Sequence, residues 1–156
     1  MRAHLICVGE RMPAWVDAAY KEYAKRLSKE LSLNLVEIPL GVRGKTPDLT
    51  KALATETRSI LAAIAKNTHV VALDVRGELW DSEQLAQQLQ NWRMTGRDLA
   101  FLIGGPDGFG KEVLDRADQR WSLGPLTLPH PIVRIVLVEQ LYRATTILNR
   151  HPYHRR

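Results

Sequence analysis

The run Gly104-Gly105-Pro106-Asp107-Gly108-Phe109-Gly110-Lys111 closes an apolar stretch, Leu99–Ile103, and leaves backbone amides and carbonyls free to meet a ligand. Its spacing matches neither the dinucleotide fingerprint nor a P-loop, and no Ser or Thr follows the lysine. Asp107 would repel a phosphate. The loop is therefore poor for a nucleotide di- or triphosphate and acceptable for a ligand without phosphates, S-adenosylmethionine among them. A tight turn at a strand end has the same composition. A second stretch, Leu123-Gly124-Pro125-Leu126-Thr127-Leu128-Pro129-His130-Pro131, holds three prolines and a glycine and excludes regular structure. Leu123, Leu126 and Leu128 suit an apolar slot for a purine. A packed loop without a ligand reads equally well.

His130 stands next to last in that stretch, and His151 and His154 lie in the tail. No His-Glu-x-x-His or comparable spacing occurs, so no metal is expected. A histidine beside a ligand loop instead orients a group or accepts a proton. Arg143 follows Glu139 by four residues, the spacing of a helical ion pair. From Arg134 onward, arginines 134, 143, 150, 155 and 156 stand against a single acid, Glu139. Arg150, Arg155 and Arg156, interleaved with His151, Tyr153 and His154, combine cations for phosphates with planar rings for unstacked bases. A frayed, solvated terminus has the same composition. The net charge of +5 and a pI near 9.6 suit a polyanionic partner without requiring one.

Strand–helix alternation must position these residues. His4–Val8, Leu33–Ile38, His69–Leu73, Leu99–Ile103 and a short segment near Trp121–Leu123 read as strands. Helices are expected from Pro13 to about Lys29, from Pro47-Asp48 to about Lys66, from Asp81 or Ser82 to near Gly96, over Lys111–Ala117, and over Pro131–Asn149. The order argues for an α/β fold with a mostly parallel sheet covered on both faces. In such sheets, ligands bind beyond the carboxyl ends of the strands, here the loops after Leu73, Ile103 and Leu123. The chain of 156 residues suits one domain, 1–156. No stretch of about 18 apolar residues and no signal peptide is visible, so a cytoplasmic protein is expected. Cys7, the only cysteine, sits in an apolar run and reads as a buried, inert thiol. The last helix is apolar most of the way round and needs cover on two sides. Either another copy of the chain or a central place within one monomer meets that need.

Four runs then stand out together: Ile103-Gly104-Gly105-Pro106-Asp107-Gly108, Leu126-Thr127-Leu128-Pro129-His130, Glu139-Gln140-Leu141-Tyr142-Arg143-Ala144, and His151-Pro152-Tyr153-His154-Arg155. They resemble the signature of the SPOUT methyltransferases. The likeness extends to Val8-Gly9, Met12-Pro13, Trp15, Ile38-Pro39, Gly41-x-Arg43-Gly44-Lys45 and Leu73-Asp74, and so covers essentially the whole chain. It implies a parallel-sheet SPOUT (α/β knot) fold with a C-terminal deep trefoil knot, which topology rules alone would not suggest. It also implies a homodimer packed through that region.

Order, spacing and length resemble most closely the branch that methylates N3 of pseudouridine 1915 in 23S rRNA of the assembled ribosome. The implied cofactor is S-adenosylmethionine, held by Leu73, Gly104 and the run Leu123, Gly124, Pro125, Leu126, Thr127 and Leu128. Pro125 has no amide hydrogen and cannot donate there. The implied reaction is direct methyl transfer to a ring nitrogen. Arg143 and Arg155 would stabilise the deprotonated base or its phosphates, Tyr153 would stack or hydrogen-bond, and His130 or His154 would accept or orient the proton. The tail of one subunit would complete the site of the other. A ribosome-binding protein of the same fold without catalysis, or a methyltransferase for another RNA such as tRNA, are the alternative readings.

Overall fold

A computed structural model describes residues 1–27, 29–42 and 49–154. Strand β1 (Arg2–Val8) and β4 (Leu99–Ile103) are short apolar runs, and β4 is buried at every position, as a central parallel strand must be. Around them lie β2 (Ser32–Ile38), β3 (His69–Leu79) and β5 (Gln119–Ser122). All pair in parallel, in the order β2-β1-β4-β3-β5.

Side-chain alternation along the strands divides the core in two. Leu5, Cys7, Val71, Leu99, Phe101 and Ile103 meet helices α1 (Ala14–Leu27), α3 (Ser82–Thr95) and α5 (His130–Leu148) on one face. Ile6, Val8, Val70, Ala100 and Leu102 meet α2 (Leu49–Ala63) and α4 (Lys111–Arg116) on the other. Each such fully buried aliphatic side chain contributes roughly 1.5–3 kcal/mol. Helix α3 starts at Asp81, whose carboxylate accepts from the Gln84 amide while the Gln84 side chain accepts from the Asp81 amide. It stops at Gly96, in the left-handed region. The expected start of α2 at Pro47-Asp48 lies outside the described residues.

One element differs from the sequence reading. β3 was expected to end at Leu73 and instead runs to Leu79 with a break in its pairing: Trp121 lies opposite both Leu73 and Glu78. Two features explain the bulge. The Asp74 carboxylate accepts from the Arg76 amide and turns the chain out. Gly77 lets it return, since a Cβ there would lie 2.5 Å from the Arg120 backbone. Leu73 thus sits where a strand is interrupted at the carboxyl end of the sheet.

Helix α5 packs between α1 and α3, burying Arg134, Leu137, Val138, Leu141 and Ala144. Its opposite side keeps Ile132, Ile135 and Val136 only half-buried. Among the described residues no helix is long and apolar enough to cross a membrane.

Candidate active site

The three loops selected by the sheet-end rule lie side by side. β3 is flanked by β4 and β5, with Ala72 opposite Leu102 and Leu73 opposite Trp121. Strands stand about 4.8 Å apart, so the loops after β4 and β5 flank Leu73 at a separation of about 10 Å, the width of a nucleoside. The glycine loop is a tight turn: the Gly108 amide donates to the Gly105 carbonyl at 3.1 Å, across Pro106 and Asp107. The turn folds beneath Gly104, where a Cβ would lie 3.1 Å from the Gly108 carbonyl oxygen. Gly124 has φ +138°, which other residues rarely adopt, and nothing lies within 4 Å of where its Cβ would be. Leu73, Leu123 and Leu128 are half-buried, while Pro125, Leu126 and Thr127 are exposed.

His130, the first residue of α5, belongs to the same end of the sheet. Its ring lies over Gly9, just past β1, where an added Cβ would come within 2.9 Å of Cε1. Its Nδ1 is buried and has no partner among the described residues. Burial, and then the nearby Arg134 charge, push its pKa below the ordinary 6.5, so the ring is neutral at neutral pH. One turn on, Arg134 is 1% exposed, donating to Glu37 at 3.0 Å and to the Gly9 carbonyl at 3.5 Å.

Arg143, Tyr153 and His154 gather elsewhere. Thirteen residues separate Arg143 from His130, about 20 Å along the helix. Within one chain the sequence-selected residues therefore form two groups. In the second, Arg143 donates to Glu139 Oε1 from Nε at 3.1 Å and from Nη2 at 2.6 Å. The Tyr153 hydroxyl donates to the same oxygen at 3.1 Å. The Arg143 guanidinium carbon sits 5.1 Å from the Tyr153 ring centroid, and Tyr142 meets that ring edge-on at 4.6 Å. Burial, then hydrogen bonds with Tyr23 and Glu139, hold the Tyr153 phenol well above its ordinary pKa. His154 Nδ1 is buried without a partner among the described residues. Arg155 and Arg156, and the basic loop Arg43-Gly44-Lys45, lie outside the described residues.

Glu139 is the site residue that sequence reasoning passed over. Its spacing to Arg143 announced an ion pair, which the structure has, but nothing local announced Tyr153 as a third partner. Cys7 is buried as expected, its thiol pushed up to about 12 chiefly by burial. A cleft of about 410 Å³ lined by Met1, Glu30, Arg93 and Asp98 lies at the amino ends of the strands, away from the loops that suit a ligand. Its Arg93 and Glu30 already pair with each other at 3.2 Å.

A family model described as "Predicted SPOUT methyltransferase" matches residues 1–154. The chain belongs to the SPOUT methyltransferase family. Proteins named ribosomal RNA large subunit methyltransferase H are similar over nearly their whole length. Those from Pseudomonas fluorescens and Stenotrophomonas maltophilia are 54% and 57% identical over 155 residues, 99% of this chain and 100% and 99% of theirs. The Xanthomonas campestris protein is 56% identical over the same share of this chain and 99% of its own. A solved structure of a probable methylase family protein from Haemophilus influenzae Rd KW20 superposes with TM-score 0.57. It is 12% identical and covers 99% of this chain and 70% of that one, a likeness of fold alone. Membership in the SPOUT family agrees with the resemblance read from the four sequence runs.

Proposed function

We propose that the chain is an S-adenosylmethionine-dependent RNA methyltransferase of the cytoplasm. Its substrate is N3 of pseudouridine 1915 in 23S rRNA of the assembled ribosome. The observation that carries this reading is identity above one half, over almost the full length, to proteins named ribosomal RNA large subunit methyltransferase H. The opening between the Gly104 loop and Leu123–Leu128 fits the cofactor. What supports this is the half-burial of Leu73, Leu123 and Leu128, the tight glycine turn, and the open space beside Gly124. Leu73, Gly104 and residues 123–128 would hold the cofactor, with Pro125 contributing only its ring and carbonyl.

When bound, S-adenosylmethionine supplies the methyl group on its sulfonium. The protein's own task is the N3 proton and the charge left behind. His130, kept neutral by burial and Arg134, accepts a proton at neutral pH rather than donating one. Arg143 supplies positive charge for the deprotonated base or a neighbouring phosphate, with its planar donor fork already oriented by Glu139. The 20 Å between these two residues favours a homodimer in which the tail of one copy completes the cofactor end of the other. The half-buried apolar side of α5 supplies surface for that contact. A C-terminal trefoil knot and a single domain over 1–156 belong to the same reading.

Titration calorimetry with S-adenosylmethionine tests the cofactor, and binding is expected. Mass spectrometry of 23S rRNA from ribosomes of a deletion strain tests the substrate. An N3 methyl on pseudouridine 1915 in that strain would remove the substrate assignment. Cofactor binding without transfer to ribosomes would leave a non-catalytic protein of the same fold.

A further inference from the structure

Helix α5 ends in a turn that sends the chain back along its own side. The Arg150 amide donates to the Ile147 carbonyl at 3.2 Å and the His151 amide to Thr146 at 2.8 Å, with Arg150 at φ +56°. This is the left-handed helix stop at which glycine is usual, and a non-glycine residue there costs about 1 kcal/mol. The turn is followed by one 3-10 turn, Pro152–His154. A short segment leaving a strained turn keeps one direction only if something fastens its far end.

We propose that Glu139 is a positioning residue, the clasp that fastens the C-terminal tail to α5 through Tyr153 while aligning Arg143. One carboxylate oxygen collects three donors, two from Arg143 and one from the Tyr153 hydroxyl. The second oxygen accepts from the Gln140 amide group at 2.7 Å, so the carboxylate is held from both sides. Tyr153 is engaged at three points: its hydroxyl by Glu139, one face by the Arg143 guanidinium, and the ring by Tyr142 edge-on. Its role is that of a tether for the tail as far as His154. An isolated exposed ion pair contributes little, but here four hydrogen bonds, two of them from one guanidinium, share one carboxylate at half-buried positions. The clasp rests on the reading of the tail as RNA-facing.

The test uses the full-length protein. Tyr153→Phe keeps the ring and removes one hydroxyl. It should raise hydrogen exchange of the His151, Tyr153 and His154 amides about tenfold, the effect of losing a hydrogen bond to a charged acceptor. It should also lower kcat on ribosomes with S-adenosylmethionine affinity unchanged. Glu139→Ala should do the same more strongly, and Glu139→Gln, which retains an acceptor oxygen, should recover part of both. Tail exchange and kcat in Tyr153→Phe equal to those of the unmodified protein would overturn the clasp. So would equal losses in Glu139→Gln and Glu139→Ala. If the unmodified protein fails to methylate ribosomes, the proposed function falls, and tail exchange still decides the clasp by itself.

Discussion

The two ends of α5 hold an arginine in opposite ways. At the amino end, Arg134 is 1% exposed and reaches across to Glu37 on β2 and to the Gly9 carbonyl just past β1. At the carboxyl end, Arg143 keeps about a quarter of its side chain exposed and pairs within its own helix, joined by a residue of the tail. The first arrangement is part of the scaffold, where the sheet and the helix cannot separate without stranding a charge. The second is a local clasp near the surface, free to present its remaining donors to a partner. One helix thus carries a buried cation and a part-exposed one, and their partners distinguish them more clearly than their sequence contexts do.

The largest effect should come from removing the acid at the buried end. Glu37→Ala leaves the Arg134 charge buried and should cost about 3 kcal/mol of stability, measured by urea unfolding. Arg134→Met should cost less, because Glu37 stays one-third open to water. A reversed order would mean that the pair is not what binds α5 to β2. Next, Arg143→Ala should leave thermal stability nearly unchanged and lower methyl transfer to ribosomes about 100-fold, the scale of losing a charge aimed at a reacting centre. Normal turnover in that variant would remove Arg143 from the chemistry.

The smallest effect concerns pH. The folded protein disfavours protonated His130, so the unfolded chain binds that proton more readily below pH 6.5. The stability contributed by this group is full above that pH and is lost as pH falls through the lower folded value. Melting curves at pH 7 and 5 should show a smaller acid loss in His130→Gln than in the unmodified protein. An identical loss in both would place the acid sensitivity elsewhere.

Much of this was legible in the residues. Leu99–Ile103 is apolar at five consecutive positions, and only a strand buried on both faces uses such a run. Asp81 or Ser82 ahead of the helix, and Gly96 beyond its last turn, marked both ends of α3. The glycine turn after Ile103 and the prolines after Leu123 placed two of the three candidate ligand loops. The extension of β3 past Leu73 was not legible. It depends on Gly77 meeting the backbone of Arg120, a contact with a strand more than forty residues away.

By itself, then, the chain's pattern determined the parallel α/β sheet, the end of it whose loops suit a ligand, and the candidate residues. Local rules suffice for these, because hydrophobic period, helix caps and turn residues act over a few positions. The tertiary structure alone decided how the candidates divide. It set His130 beside the sheet-end loops and Arg143 some 20 Å along α5. It buried Arg134 while leaving Arg143 part-exposed, and it bound Tyr153 to a glutamate fourteen residues earlier. Those outcomes follow from how a helix lies across a sheet and where a tail folds back. Such contacts join residues far apart in the chain, and no spacing rule encodes them.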